Sequence, residues 1–482
     1  MPKSRWFQGL PDACRASAFR FKVATFALCR RQLVRMEFSF PKTSSLPLFI
    51  LVLILAGSRV AVGQSESVVY SFQGTADGDI PMAGLISDAA GNFYGTTNGI
   101  GDPCHSDCGT AYELTPATGG GWNEMVLHNF IGGGDGRSPV GGLIFDQAGN
   151  LYGTTEFGGS GFDEGTVFEL SLQDGVWTET ILYKFKGGAD GAQPTAGLVF
   201  DKAGNLYGTT LAGGQPQFGY RDNGTVFQLK PSQGGTWTET VIHTFGVGKD
   251  GFQPYAGLTI DQAGNLYGTT LAGGGGSCQY FGTPGCGAVF ELEPPAKRGG
   301  AWTEKVLYRF KGGTSDGQAP DAALIFDPKG NLDGVTQDGG ICSVSGFCGT
   351  VFQLTPGAAG AWTESVLYSF TGGSDGGFPR GSLILDGAGD LYGTTEFGGT
   401  GGICRDNNSC GTVFELKPSK SGPWSETVLY NFTKGRDGYW PVAGLIRGKF
   451  DALFGTTVLG GKGMCKSGTK IIGCGTVFKI HP

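Results

Sequence analysis

The chain has 482 residues, 90 of them glycine, with 39% hydrophobic, 12% aromatic and 16% charged residues and a formal net charge of −7. The charged fraction is too low for a coiled coil or a charge-rich disordered chain, and the glycines show no collagen period. Enough apolar residues remain to bury a core, and the length suits about three ordinary domains or one long all-β fold.

Residues 1–63 read as a targeting segment. They hold ten Lys/Arg and two acids, which leaves −15 for the remainder. An apolar run from Leu46 to Ala56 follows Lys42. It is short for a bilayer span and right for the apolar region of a signal peptide. Ala61 and Gly63 place small residues at −3 and −1 of a cleavage after Gly63, and Met36 offers a conventional start. Arg30-Arg31 resembles a twin-arginine signal only faintly. No later segment is apolar enough to cross a membrane, and the C-terminal Lys479-Ile480-His481-Pro482 carries no anchor. The expectation is a secreted or periplasmic monomer with no membrane span once the signal is removed. An acidic surface repels phosphate backbones, so nucleic acid is not an expected partner.

From residue 64 onward internal repeats dominate. The segment Leu-Tyr-Gly-Thr-Thr, or a close variant, starts at Phe93, Leu151, Leu206, Leu266, Leu332, Leu391 and Leu453. The spacings are 58, 55, 60, 66, 59 and 62 residues. Each copy has four short segments rich in β-branched and aromatic residues. In the second copy they are Gly142–Asp146, Leu151–Thr155, Gly165–Leu170 and Trp177–Phe185. Turn residues such as Asp146-Gln147-Ala148-Gly149-Asn150 bound them, and no helical period appears. Four antiparallel strands repeated seven times predict an all-β, seven-bladed β-propeller.

The repeats run over about 82–130, 140–185, 195–245, 255–310, 321–370, 380–432 and 442–480. The last copy stops after its third strand, Gly475–Ile480, while residues 64–72 align with a fourth strand such as Trp362–Phe370. Residues 64–482 therefore form one ring, with the seventh blade built from both ends of the chain. Closure removes the open edges that a linear stack would expose.

The unit G-L-I-x-D-x-A-G-N-L-Y-G-T-T…G-T-V-F-E-L…W-T-E-T-V-L-Y-S-F resembles the GloVer (choice-of-anchor) tandem-repeat family of exported bacterial proteins, over essentially all of residues 64–482. The resemblance implies export and no particular activity. Family members carry C-terminal sorting signals. This chain departs from that pattern, which favours release over surface anchoring. The Asp-x-x-Gly-Asn-Leu-Tyr hairpin also looks like that of NHL-type propellers, a likeness of fold alone.

Two cysteines, Cys14 and Cys29, precede the repeats. The other ten form close pairs: Cys104/Cys108, Cys278/Cys286, Cys342/Cys348, Cys404/Cys410 and Cys465/Cys474. An even set of close pairs in an exported chain reads as disulfides. Zinc is the rival, but CxxxC lacks two further ligands and the chain has four His.

Residues present in every copy are expected to be architectural. Tyr152, Tyr207, Tyr267 and Tyr392 pack between blades, and Gly153 allows close backbone approach. Trp122, Trp177, Trp237, Trp302, Trp362 and Trp424 pack at blade edges rather than form a sugar platform. Glu66, Glu124, Glu179, Glu239, Glu304, Glu364 and Glu426 sit on the outer strand, where acids discourage edge pairing. The turn Asp-Gly-x-x-Pro places Asp77, Asp135, Asp190, Asp250, Asp316, Asp375 and Asp437 on the ligand face. There they either cap their own turns or ring the channel and bind a hard cation such as Ca²⁺.

Function is sought where copies differ. The loops between second and third strands carry every cysteine pair, in copies 4, 5, 6, 7 and 1. Copies 2 and 3 lack cysteines and offer Asp163, Glu164, Tyr220 and Arg221 as candidate catalytic residues. In copy 5, Asp333 stands where the others have tyrosine or phenylalanine. No nucleophile elbow, zinc-protease helix, phosphate loop or dinucleotide fingerprint is present. His128 and His243 align with Tyr70 as strand-face substitutions. Two functions remain open. One is an exported binding propeller for a glycan or protein ligand. The other is a secreted glycoside hydrolase or lyase acting in the loops of blades 2 and 3.

Overall fold

The computed structural model describes residues 65–482, apart from 75, 100–107, 160, 162, 215–222, 247–249, 281–282, 298, 343–347, 406–407, 421 and 468–469. Seven four-stranded antiparallel sheets form the blades of a β-propeller. In blade 2 the strands run outward as Ile144–Phe145, Leu151–Thr155, Thr166–Gln173 and Val176–Lys184. In blade 7 they are Ile446–Arg447, Leu453–Thr457, Thr476–His481 and the N-terminal Ser65–Ser71. The predicted closure is present: Ser65 pairs with His481 through to Ser71 with Thr476. Phe72 N–H then donates to Gly475 O at 3.1 Å.

Hydrophobic burial is divided among seven seams between blades. One cluster joins Tyr94, Leu127 and Phe130 of blade 1 to Leu143, Leu151 and Phe168 of blade 2. The closing seam joins Phe72 and Val477 to Leu85, Phe93 and Leu114. Each seam holds an edge-to-face pair between the ring that follows one blade's fourth strand and a third-strand ring of the next blade. These include Phe130–Phe168 at 5.0 Å, Phe185–Phe227 at 5.1 Å and Phe432–Phe478 at 5.0 Å. Such pairs contribute about 0.5–1.5 kcal/mol beyond their buried area.

The repeat residues divide this work between them. Gly153 leaves room for a ring, since a Cβ there would stand 2.6 Å from Phe168 Cζ. Thr154 Oγ1 donates to Ala196 O of the next blade at 2.9 Å, and Thr155 bonds Thr166 across its own blade at 2.8 Å. The Tyr152 hydroxyl lies 3.0 Å from Glu169 and 3.2 Å from Asp146, while its ring meets Phe200 of the next blade edge to face at 5.1 Å. Trp237 packs against Tyr152 of the preceding blade, as expected for blade-edge packing.

The turn prolines close the same seams. A Cβ on Gly165 would stand 2.5 Å from Pro194 Cδ, and the Gln193 N–H donates to Glu164 O at 2.8 Å. Gln193 adopts φ 56°, as do its counterparts before each proline (Ile80, Ser138, Gln253, Ala319, Phe378 and Trp440, φ 55–60°). This left-handed backbone is strained for such residues. The bonds to the neighbouring blade offset the strain.

Four predicted disulfides are formed: Cys278–Cys286, Cys342–Cys348, Cys404–Cys410 and Cys465–Cys474. Cys108 is also disulfide-bonded, and its expected partner Cys104 lies outside the described residues. Four bridges in close loops are consistent with an oxidising, extracellular setting. Among the described residues no helix is long and apolar enough to cross a membrane.

Candidate functional site

Each Asp-Gly-x-x-Pro turn delivers the residue after its proline to the axis of the ring. The seven are Met82, Val140, Thr195, Tyr255, Asp321, Arg380 and Val442, and together they line a cavity of about 60 Å³. It opens into a channel of about 410 Å³ walled by the first strands and their leading residues. The connections bridge to the segments just after the second strands, as in Ala192 with Ala212 and Gly377 with Phe397. The cavity therefore lies at the same end of the blades as the disulfide loops.

Blades 4, 5 and 6 break the symmetry here. Asp321 accepts from Arg380 Nε at 2.9 Å and from Gln337 Nε2. Arg380 Nη1 reaches Glu396 Oε2 at 3.4 Å, and the guanidinium lies 5.8 Å from the Tyr255 ring centroid. The Asp321 side chain is 1% exposed, and its Oδ1 is buried with no hydrogen-bond partner. Burial pushes the Asp321 carboxyl up against the pull of Arg380, and does the same to Glu396. It pushes the Tyr255 phenol up as well. Burial works against the Arg380 charge, yet Asp321 and Glu396 hold it protonated above its ordinary range. The result is a rigid set of unlike polar groups: an acceptor oxygen without a donor, a guanidinium, a carboxylate and an aromatic face.

The sequence-based candidates lie elsewhere. Asp163 is a half-exposed residue in the blade 2 loop, held by Arg137 Nη2 at 2.5 Å and by the Gly158 N–H at 2.6 Å. Glu164 follows it, and its carbonyl accepts from Gln193. Tyr220 and Arg221 lie outside the described residues. Asp163 and Glu164 are not among the residues lining the channel mouth.

The seven turn aspartates also stand apart from the channel lining. Asp190 accepts from the Tyr183 hydroxyl at 2.5 Å and the Lys186 N–H at 2.8 Å. Asp77, Asp316, Asp375 and Asp437 accept in the same way from Tyr70, Tyr308, Tyr368 and Tyr430. Asp135 meets His128 at 3.1 Å, and Asp250 lies 3.8 Å from His243. Each of the seven carboxylates accepts from a backbone N–H of its own turn.

The glutamate series differs from its expected role as solvent-facing edge acids. Strand alternation turns Trp122 and Glu124 inward while Asn123 and Met125 face out. The Oε1 of Glu66, Glu124, Glu179, Glu239, Glu304, Glu364 and Glu426 is buried without a partner in every blade. Burial, reinforced by the turn aspartate beside it, pushes Glu124 and Glu364 up to about 7. Asp333 is 2% exposed, and Gln353 Nε2 donates to it at 2.8 Å. Burial pushes it up to about 6. It is a satisfied buried group that stands in for the tyrosine.

A second concavity, of about 980 Å³, lies on the opposite face between hairpins of blades 3, 4 and 5, and is lined in part by Tyr207, Trp302 and Phe326. Its aspartates, Asp201, Asp261 and Asp327, are bound by backbone N–H groups of their own hairpins.

The family profile described as Gloeobacter/Verrucomicrobia repeat matches residues 58–281 and 219–471. Among curated proteins no sequence match is found. Three solved structures resemble the chain at low sequence identity. A putative oxidoreductase (glucose dehydrogenase) from Thermus thermophilus is 16% identical, with TM-score 0.39, over 71% of this chain and 96% of that one. The pyranose dehydrogenase PQQ domain of Coprinopsis cinerea is 12% identical, with TM-score 0.41, over 88% and 97%. A protein of unknown function from Dyadobacter fermentans is 13% identical, with TM-score 0.35, over 76% and 98%.

Proposed function

The chain belongs to the Gloeobacter/Verrucomicrobia repeat family, and we propose that it is an exported, non-catalytic binding propeller that holds a glycan or protein ligand at the channel mouth and the disulfide-stapled loops around it. One observation carries this reading. At a single ring position, three adjacent blades supply Tyr255, Asp321 and Arg380, while the others supply Met82, Val140, Thr195 and Val442. The loops of those same three blades each carry a disulfide. A one-sided polar set on a pre-organised rim suits a ligand rich in hydroxyls. Carboxylates accept from it, the guanidinium donates to it, and a ring covers one face. The basic, apolar leader and the disulfides support export to the periplasm or medium.

The test is retention of the purified chain on a polysaccharide panel. Retention without product release, weakened at least tenfold by Arg380→Ala or Asp321→Asn, supports the reading. Absence of retention redirects the search to protein ligands.

A second reading, a carbohydrate-active enzyme, has one observation in its favour. Asp321 and Glu396 share one arginine, and burial pushes both toward the protonated form that a general acid needs. Release of reducing ends or unsaturated products, abolished by Glu396→Gln, would replace the binding reading with this one.

A further inference from the structure

One position of the fourth strand carries Tyr70, His128, Tyr183, His243, Tyr308, Tyr368 and Tyr430 around the ring. In five seams a phenol hydroxyl donates to the turn aspartate. In two seams an imidazole takes its place, and a neutral imidazole nitrogen is a far better metal ligand than a protonated phenol oxygen.

In the seam between blades 1 and 2 this substitution gathers three donors from separate elements. His128 comes from the fourth strand of blade 1, Asp135 from the turn after it and Glu179 from the fourth strand of blade 2. His128 Nε2 lies 3.1 Å from Asp135 Oδ1 and 3.9 Å from Glu179 Oε2. One ligand atom from each residue lies within 4.8 Å of the other two. The other Asp135 oxygen, Oδ2, is held by the Ile131 N–H at 2.6 Å, which fixes the carboxylate. Glu179 Oε1 is buried and without a hydrogen-bond partner. The side chains are 22%, 16% and 11% exposed, so the cluster is partly sheltered yet reachable from solvent.

We propose that His128, Asp135 and Glu179 bind a first-row divalent cation of the Zn²⁺ class, which ties blade 1 to blade 2. One imidazole and two carboxylates form a ligand set suited to such an ion. Bonds of about 2.0–2.2 Å in tetrahedral geometry put ligand atoms roughly 3.2–3.5 Å apart. The observed 3.1 and 3.9 Å bracket that span. Small side-chain rotations therefore suffice, and water completes the coordination. The two carboxylates share His128 between them, and Lys184 is the other basic group nearby. The seam of His243, Asp250 and Glu304 has the same residue types, but its His243 Nε2 is 3.8 Å from Asp250 and has no hydrogen-bond partner. Among the described residues only the His128 seam gathers all three ligand atoms.

The test uses the whole purified chain, stripped with chelator and titrated with Co²⁺ and Zn²⁺ by calorimetry and visible absorption. The expected result is one equivalent of Co²⁺ with a d–d spectrum that Zn²⁺ abolishes. His128→Tyr installs the residue found in five other seams and should fold. It should lose that equivalent while keeping the metal-free melting temperature. Glu179→Gln, a near-isosteric second variant, should weaken binding at least tenfold. Failure of the wild type to bind, or the same stoichiometry in His128→Tyr, would overturn the proposal. Displacement of Co²⁺ by equimolar Ca²⁺ would overturn the assignment of cation class.

Discussion

Phe72 and Tyr112 meet edge to face with ring centroids 5.1 Å apart, and this contact closes the ring between blade 7 and blade 1. The other six seams place phenylalanine where Tyr112 stands. The Tyr112 hydroxyl is fully buried, has no hydrogen-bond partner and sits against Gly95. Tyr112→Phe removes an unsatisfied polar group and restores the residue used elsewhere. It should stabilise the protein by about 1–3 kcal/mol, read as a higher midpoint in urea unfolding. A lower midpoint would show that the hydroxyl has a partner.

The closing strand itself is testable by deletion. Without residues 65–72, Thr476–His481 becomes an exposed edge, and Phe72 leaves the seam that it shares with Leu85 and Phe93. An unpaired apolar edge templates association. The truncated chain should elute as oligomers in size-exclusion chromatography and melt well below the intact one. A monomer of unchanged stability would contradict closure by this strand.

Second-strand glycines can be separated from loop glycines by alanine substitution. A Cβ on Gly153 would stand 2.6 Å from Phe168 Cζ, whereas one on Gly387 meets nothing within 4 Å. Gly153→Ala should cost about 1–3 kcal/mol by overpacking. Gly387→Ala should fall within about 0.5 kcal/mol of the wild type in the same denaturation assay.

Stability should fall as pH rises from 4.5 to about 7. Burial and the neighbouring Asp437, Asp77, Asp190, Asp316 and Asp375 push Glu66, Glu124, Glu239, Glu364 and Glu426 up to about 7. Their ordinary value is 4.5. Between those values the folded state binds more protons than the unfolded one, so raising pH favours unfolding. Below that window the trend reverses, because Asp135 and Asp250 are held below their ordinary value even though burial opposes it. The His128 bond and the Ile131 N–H stabilise charged Asp135, and the Gly246 N–H and the nearby His243 stabilise charged Asp250. Melting temperatures in chelator across pH 4.5–8 should therefore decline. Glu364→Gln should flatten the profile, and an upward slope over this range would refute the seam assignment.

Much of the fold was legible because the repeat states the same local problem seven times. β-Branched and aromatic residues in Trp177–Phe185 marked a strand, and the displaced fourth strand at residues 64–72 revealed the closure. The glutamates were misplaced for a specific reason. Alternation shows that Glu124 shares a face with Trp122, but a position on the outermost strand does not say that the next turn covers that face. The channel mouth left no local signal. Tyr255, Asp321 and Arg380 sit at equivalent positions in three successive repeats. A scan for differences finds them only after the axis is known to be the place where differences meet.

Sequence by itself determined the number of blades, their strands, the pairing of both chain ends and the proximity of cysteine pairs. Each of these is set by patterns within one repeat or by the count of repeats. Tertiary structure alone decided which polar groups share an environment. Ring closure brings one residue from every repeat to the axis, and burial there aligns Asp321 with Arg380 across 59 residues of chain. It likewise sets Glu179 against His128 and Asp135 from the neighbouring blade. Such neighbours are fixed by the packing of blade on blade, and no local preference of the chain encodes them.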